Sequence, residues 1–228
     1  MTYQQQTPWI VLLCKLKDTQ SDPPDMKPDF LSLCQKFFTT AGTSTFNAVQ
    51  FFQDMSHESL DLSGSQLFPS GGWITLDAVF SDLLPCSDPV DCGNRRNKMM
   101  TLAKKTLTQA GVPLDSFYGI VLVFNVGVGG SQGGSWDGGA PVPGVFSDYR
   151  YVQNNGTESY GQEMGHAYGL DHSRSDDPNV NLLGCDPTTL DYRDPWDGMS
   201  TACAYFAPDP DYGSRGPGFN AWNMRGRG

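Results

Sequence analysis

Histidine is scarce in this sequence, with three in 228 residues. Cations are few as well, 15 Lys and Arg against 25 Asp and Glu, for a net charge of −10. That balance argues against a general binder of nucleic acid or of anionic membrane, because phosphate contacts need a basic face. Long apolar runs are missing. The longest, Trp9 to Cys14, covers six residues, against the roughly 20 of a membrane-spanning helix. No Cys-x-x-Cys pair occurs, which argues against a thiolate zinc site. Met1 to Thr7 is polar and lacks the charged-then-apolar pattern of a secretory signal.

What is present points to one compact, loop-rich domain. Gly 26 and Pro 16 supply the turns, and an aromatic content of 12% fits a packed core better than disorder. The length suits one substantial core, and neither a repeat nor a linker divides the chain. The expected organisation is a single domain over 1–228, with an N-terminal lobe to about 172 and a smaller C-terminal lobe from about 173.

Strand and helix patterns mix along the chain, so the fold class is α+β. Trp9 to Leu16 reads as a buried strand, being continuous and β-branched. Phe30, Leu33, Cys34 and Phe37 form one helical stripe after Pro28. A second helix is expected from Ser44 to Met55. Strands are expected over Leu60 to Phe68 and Trp73 to Leu76. Met99 to Ala110 predicts a third helix, ended by Gly111 and Pro113. Tyr118 to Val126 is the clearest core strand. Residues 127–144 hold eight glycines and two prolines. Pro141 and Pro143 forbid the helix that a dinucleotide loop requires, and no Gly-Lys-Ser/Thr is present. A surface loop, or a loop lining a substrate cleft, remains.

The chemistry concentrates in residues 160–173, Tyr-Gly-Gln-Glu-Met-Gly-His-Ala-Tyr-Gly-Leu-Asp-His-Ser. Zinc peptidases place two ligands four residues apart, so that both leave one helical face, and the Glu after the first takes a proton from water. A glycine then ends the helix and a third ligand follows. Here Gln162 stands in the first-ligand place, Glu163 in the general-base place, and His166, Gly169 and His172 in the rest.

This pattern resembles the metzincin clan of zinc endopeptidases, whose long signature it matches at every motif place except Gln162. Asp197-Gly198-Met199-Ser200 looks like the Met-turn of that clan, in which the methionine lies beneath the metal without binding it. Ser56 to Gly64 is a weaker match to bacterial secreted and gametolysin-like members. The resemblance implies a mixed, twisted sheet with an active-site helix, a Met-turn and a C-terminal helical segment. It also implies zinc, a protein or peptide substrate and a secreted setting. Glu163 would be the general base, His166 and His172 metal ligands, and Gln162 the occupant of the first-ligand place.

Gln offers a neutral amide oxygen where the clan has imidazole, and zinc prefers Cys, His or carboxylate. Two readings therefore stand: a metallopeptidase with a variant site, or a catalytically silent module that binds protein or glycan. Six cysteines suit disulfides, with Cys86–Cys92 and Cys185–Cys203 as expected pairs. Acidic residues between Asp176 and Asp197 suggest calcium or, equally, a solvated loop. His57 reads as structural. Tyr192 and Tyr205 match no motif place, and Asn155-Gly-Thr157 is a glycosylation acceptor only in a secretory pathway.

Overall fold

The structure, a computed structural model, describes residues 5–42, 47–137, 141–173, 196–204, 207–209, 213–215 and 217–219. Its centre is one six-stranded mixed sheet. Strand β2 (Trp9–Lys15) and β6 (Gly119–Phe124) pair in parallel from Trp9–Gly119 to Cys14–Phe124. Short β4 (Gln66–Phe68) and β5 (Ile74–Thr75) pair with the other edge of β2, also in parallel. On the far side β8 (Pro141–Asp148) runs parallel to β6, and β7 (Gln132–Asp137) closes the sheet antiparallel to β8. A separate two-stranded pairing joins β1 (Gln5–Gln6) to β3 (Leu60–Asp61).

β2 and β6 are buried along almost their whole length, because both faces of the sheet are covered, as parallel strands require. The pleat divides their side chains between two cores. Val11, Leu13, Val121, Val123 and Val145 face α1 (Phe30–Phe38), α2 (Ala48–Met55) and α4 (Gly156–Ala167). Ile10, Leu12, Ile120, Leu122, Phe124 and Phe146 face α3 (Pro89–Gln109). The α1 stripe is buried as its spacing predicts. α2 is capped by Asn47, whose side chain accepts from the Gln50 N–H at 2.7 Å, a bond that satisfies one of the helix's orphan donors. Residues 43–46 lie outside the described residues. Among the described residues no helix is long and apolar enough to cross a membrane.

Several expectations are corrected. Within the loop expected over 127–144, residues 132–137 form β7 and residues from Pro141 on form β8, with Gly134 opposite Gly144 and Gln132 opposite Phe146. The third helix starts ten residues before Met99, at Pro89. Asp88 accepts from the Asp91 N–H at 2.9 Å, and the proline stands at the first helical position, both of which favour a helix start. Cys92 is thus helical, and its disulfide to Cys86 staples the helix to the preceding turn. The single strand expected over Leu60 to Phe68 is two. Asp61 Oδ1 accepts from the Ser63 N–H and bends the chain, and Ser65 Oγ accepts from the Trp9 N–H. The expected C-terminal helical segment falls mostly outside the described residues, which hold no α-helix after residue 173. There the chain forms a 3₁₀ turn (Gly198–Cys203) and an antiparallel pair, β9 (Ala207–Asp209) and β10 (Gly213–Arg215). Cys185, and with it the second expected disulfide, lies outside the described residues.

One polar chain ties the sheet to the end of α4. The buried Trp9 Nε1–H donates to Tyr168 Oη at 2.9 Å, and that hydroxyl donates to Thr7 Oγ1 at 3.0 Å. Tyr118 stacks on Tyr168 at 4.7 Å between centroids and donates to the Ala167 carbonyl. Removing one partner from a buried hydrogen bond leaves the other to bear its desolvation, about 1–3 kcal/mol. Tyr168→Phe keeps the stacked ring and should lower unfolding free energy by that amount in urea titration. The loss should shrink when Trp9 is also Phe, since the orphaned donor is then gone.

Candidate functional site

Helix α4 carries the 162–166 residues, and it is unusual for a helix in being buried on nearly every side. Three of its residues are glycines, Gly156, Gly161 and Gly165, each costing roughly 1 kcal/mol of helix propensity relative to Ala. Close packing offsets this. A Cβ on Gly161 would meet Phe51 at 3.1 Å, and one on Gly165 would meet Met199 Sδ at 2.7 Å. A π-helical turn over Tyr151–Asn155 leads into α4. The Asn155 sequon therefore sits at a helix junction, with Thr157 buried, rather than in a surface loop.

The C-terminus of α4 is set by Gly169 at φ 84°, a left-handed conformation that favours glycine. The Leu170 N–H donates to the Gly165 carbonyl at 2.9 Å and the Gly169 N–H to that of His166 at 2.8 Å. This double bond pattern reverses the chain beyond the helix. Reversal places the Leu170 carbonyl 2.9 Å from His166 Nδ1, which suits a proton on Nδ1 and leaves Nε2 as the ring's donor atom. It also brings His172 back over the helix. The two imidazoles stand 4.6 Å apart between centroids at 71°.

The 198–203 turn packs against α4 at Gly165. Met199 is fully buried against Gly165. The Met199 N–H donates to Asp197 Oδ1 at 3.0 Å, and the Ser200 N–H donates to the Asp197 carbonyl at 2.9 Å. The Ser173 and Ser200 hydroxyls share a short hydrogen bond. His172 is thus followed immediately by a residue bonded to this turn. Asp197 is fully buried and serves the turn. Asp176, Asp177, Asp186, Asp191, Asp194, Tyr192 and Tyr205 lie outside the described residues, so the expected calcium loop does too. His57 is exposed at the end of α2, at φ 50°.

Glu163 is buried at 8% exposure, and its Oε2 accepts from the Gly133 N–H of β7. β7 is the outermost strand of the sheet, and α4 crosses close against it. A Cβ on Gly133 would fall 1.7 Å from the Glu163 carbonyl oxygen, so only glycine fits there. Burial pushes the Glu163 carboxyl up to about 7, against the opposing pull of the Gly133 N–H and the more distant Arg96 guanidinium. Gln162, at 4% exposure, lies one turn before His166 on the same helical face. Among the described residues no three His, Cys, Asp or Glu side chains converge as a metal cage.

No family model matches the chain, and no curated protein is significantly similar to it. The functional reading rests on the residues themselves. The structure brings His166, His172 and Met199 together around the end of α4. It aims Glu163 at the β7 backbone. Gly133 and Arg96, which shape the surroundings of Glu163, carried no motif. Their signal was indirect: glycines inside a strand often mark a close backbone approach.

The raised Glu163 pKa has a sign for stability. In metal-free protein the folded state holds this proton up to about pH 7, whereas an unfolded Glu releases it near ~4.3. The contribution is present at low pH and is lost as pH rises through 7, by at most about 4 kcal/mol. Chelator-treated wild type should therefore lose more stability between pH 4.5 and pH 8 than Glu163→Gln does. Equal losses in urea titration would place the Glu163 carboxyl in water.

Proposed function

We propose that the chain is a metal-dependent endopeptidase of metzincin type with a variant metal site. The observation that carries this reading is the paired imidazoles of His166 and His172, beside a buried carboxylate on the next helical position to Gln162. Two imidazole nitrogens suit a borderline-soft divalent ion such as zinc, and an amide oxygen is a weaker but compatible third donor. His166, His172 and Gln162 would hold the ion, which when bound supplies Lewis-acid polarisation of water and of the peptide carbonyl. The 198–203 turn answers to the Met-turn of the resemblance, with Met199 as packing under the site.

The remaining chemistry belongs to the chain's own residues. Glu163, raised to about 7 by burial, can accept and return a proton near neutrality, as a general base must. Its place beside the outer strand β7 matters as much as its pKa. An edge strand offers unpaired backbone groups to an extended peptide, so a peptide laid along β7 is delivered next to Glu163. Leu170 holds the His166 ring in place through its carbonyl, and Gly169 holds Leu170.

Glu163→Ala should lower hydrolysis of an unstructured protein such as casein by ~10²–10⁴-fold, while zinc per chain stays at the wild-type value by elemental analysis. Gln162→His, which completes three imidazoles, should bind zinc at least ~10-fold tighter in chelator competition. Purified protein that carries no stoichiometric metal and cleaves nothing would replace this reading with that of a binding module. Equal zinc affinity of wild type and folded Gln162→His would remove position 162 from the metal.

A further inference from the structure

Among the described residues Arg96 has no carboxylate partner in an ion pair. On the same helix Arg95 pairs with Asp91 and Lys98 with Asp82. The other described ion pairs use Lys15, Lys17 and Arg150. The Arg96 guanidinium instead donates to Gln132 Oε1 and lies 6.0 Å from the Phe146 ring centroid. It is half-buried in a cleft of about 460 Å³, between the Cys86–Cys92 disulfide and residues 132–136 of β7. Removing a charge from water without a counter-charge is unfavourable, so an anion entering this cleft meets a cation that is already partly desolvated.

Two carboxylates are near enough to compete, and both are engaged. Glu163 acts on Arg96 through space, but its Oε2 is held by the Gly133 N–H. Asp88, which also lines the cleft, caps α3 through the Asp91 N–H and accepts from Ser87 Oγ. The planar fork of a guanidinium matches a carboxylate in two parallel hydrogen bonds. The cleft also includes Gly133, the residue that holds Glu163.

We propose that this cleft is a subsite for a peptide carboxylate, held by Arg96, so that substrates are selected for one acidic group flanking the segment laid along β7. The carboxylate is either an Asp or Glu side chain or a free C-terminus, since both present the same two oxygens. Substrate selection rests on the peptidase reading, whereas binding in the cleft does not.

Binding is measured by fluorescence anisotropy on the full chain carrying Glu163→Gln, which keeps an acceptor oxygen on the Gly133 N–H while no probe is consumed. Three labelled hexapeptide pools are compared. One is amidated and contains Glu, the second is its Gln counterpart, and the third is neutral with a free C-terminus. A carboxylate-bearing pool should bind on the order of 10-fold or more tightly than the amidated Gln pool, and whichever pool does so identifies the source. The preference should weaken with salt, disappear in Arg96→Gln and persist in Arg95→Gln. Equal affinity for all three pools, or binding of none, overturns the subsite whether or not the Arg96 variant folds. Wild-type cleavage of an unbiased peptide library, read by mass spectrometry, separates the two readings. Cleavage without acid preference removes the subsite and leaves the peptidase. Acid-preferring binding with no cleavage does the reverse.

Discussion

The approach of α4 to β7 is the contact on which the site depends. Backbone lies almost directly on backbone where Gly133 meets Glu163, and no side chain fits between. That closeness removes water from the Glu163 carboxyl and provides the N–H that receives it. It also requires a helix that is itself buried. A buried helix cannot use amphipathicity to choose its orientation, so α4 is oriented by close contacts at small residues and by bonds at its end. Gly161 against Phe51, Gly165 against Met199, and Tyr168 between the Trp9 indole N–H and the Thr7 hydroxyl fix it from three directions.

These same contacts convert packing into chemistry. The reversal at Gly169 is a helix-ending device, yet its product is a carbonyl beside His166 Nδ1 and a second imidazole over the first. Ser173 then bonds to the turn that carries Met199. Ring orientation, ring spacing and the packing of Met199 against the helix thus follow from one short stretch, 165–173, together with the 197–200 turn.

Much of this was legible in the sequence where side-chain periodicity carries the information. β2 and β6 announce themselves as continuous β-branched runs because both of their faces are covered, and the α1 stripe emerges because one face is not. The motif spacing of His166, Gly169 and His172 likewise encodes a helix, a reversal and a return. The N-terminal half of α3 was illegible for the opposite reason. Cys92 to Lys98 faces the cleft and solvent, so no apolar period marks it. β7 was hidden by its glycines. Strand propensity is mostly a matter of side chains fitting a half-buried pleat, and Gly133 is in a strand because its backbone must touch α4. Arg96 matters only through what surrounds it after folding, and no local pattern contains that.

The placement of charge around β7 has its own logic. In a chain of net charge −10, the exposed pairs such as Lys17–Asp77 are worth little, because solvent screens them. Arg150 differs, since it neutralises the fully buried Asp148 at 2.8 Å and so supports the turn into α4. Arg96 and Glu163 are the opposite case: unlike charges close enough to influence each other, but kept from direct contact. The strand between them does this with neutral groups. The Gly133 N–H satisfies Glu163, and the Gln132 amide oxygen satisfies Arg96. A direct salt bridge would hold Glu163 ionised and saturate both partners. Separation leaves the carboxyl with a proton affinity set by burial and leaves the guanidinium fork open on its cleft side, so two adjacent residues of one edge strand keep two functional groups independently available.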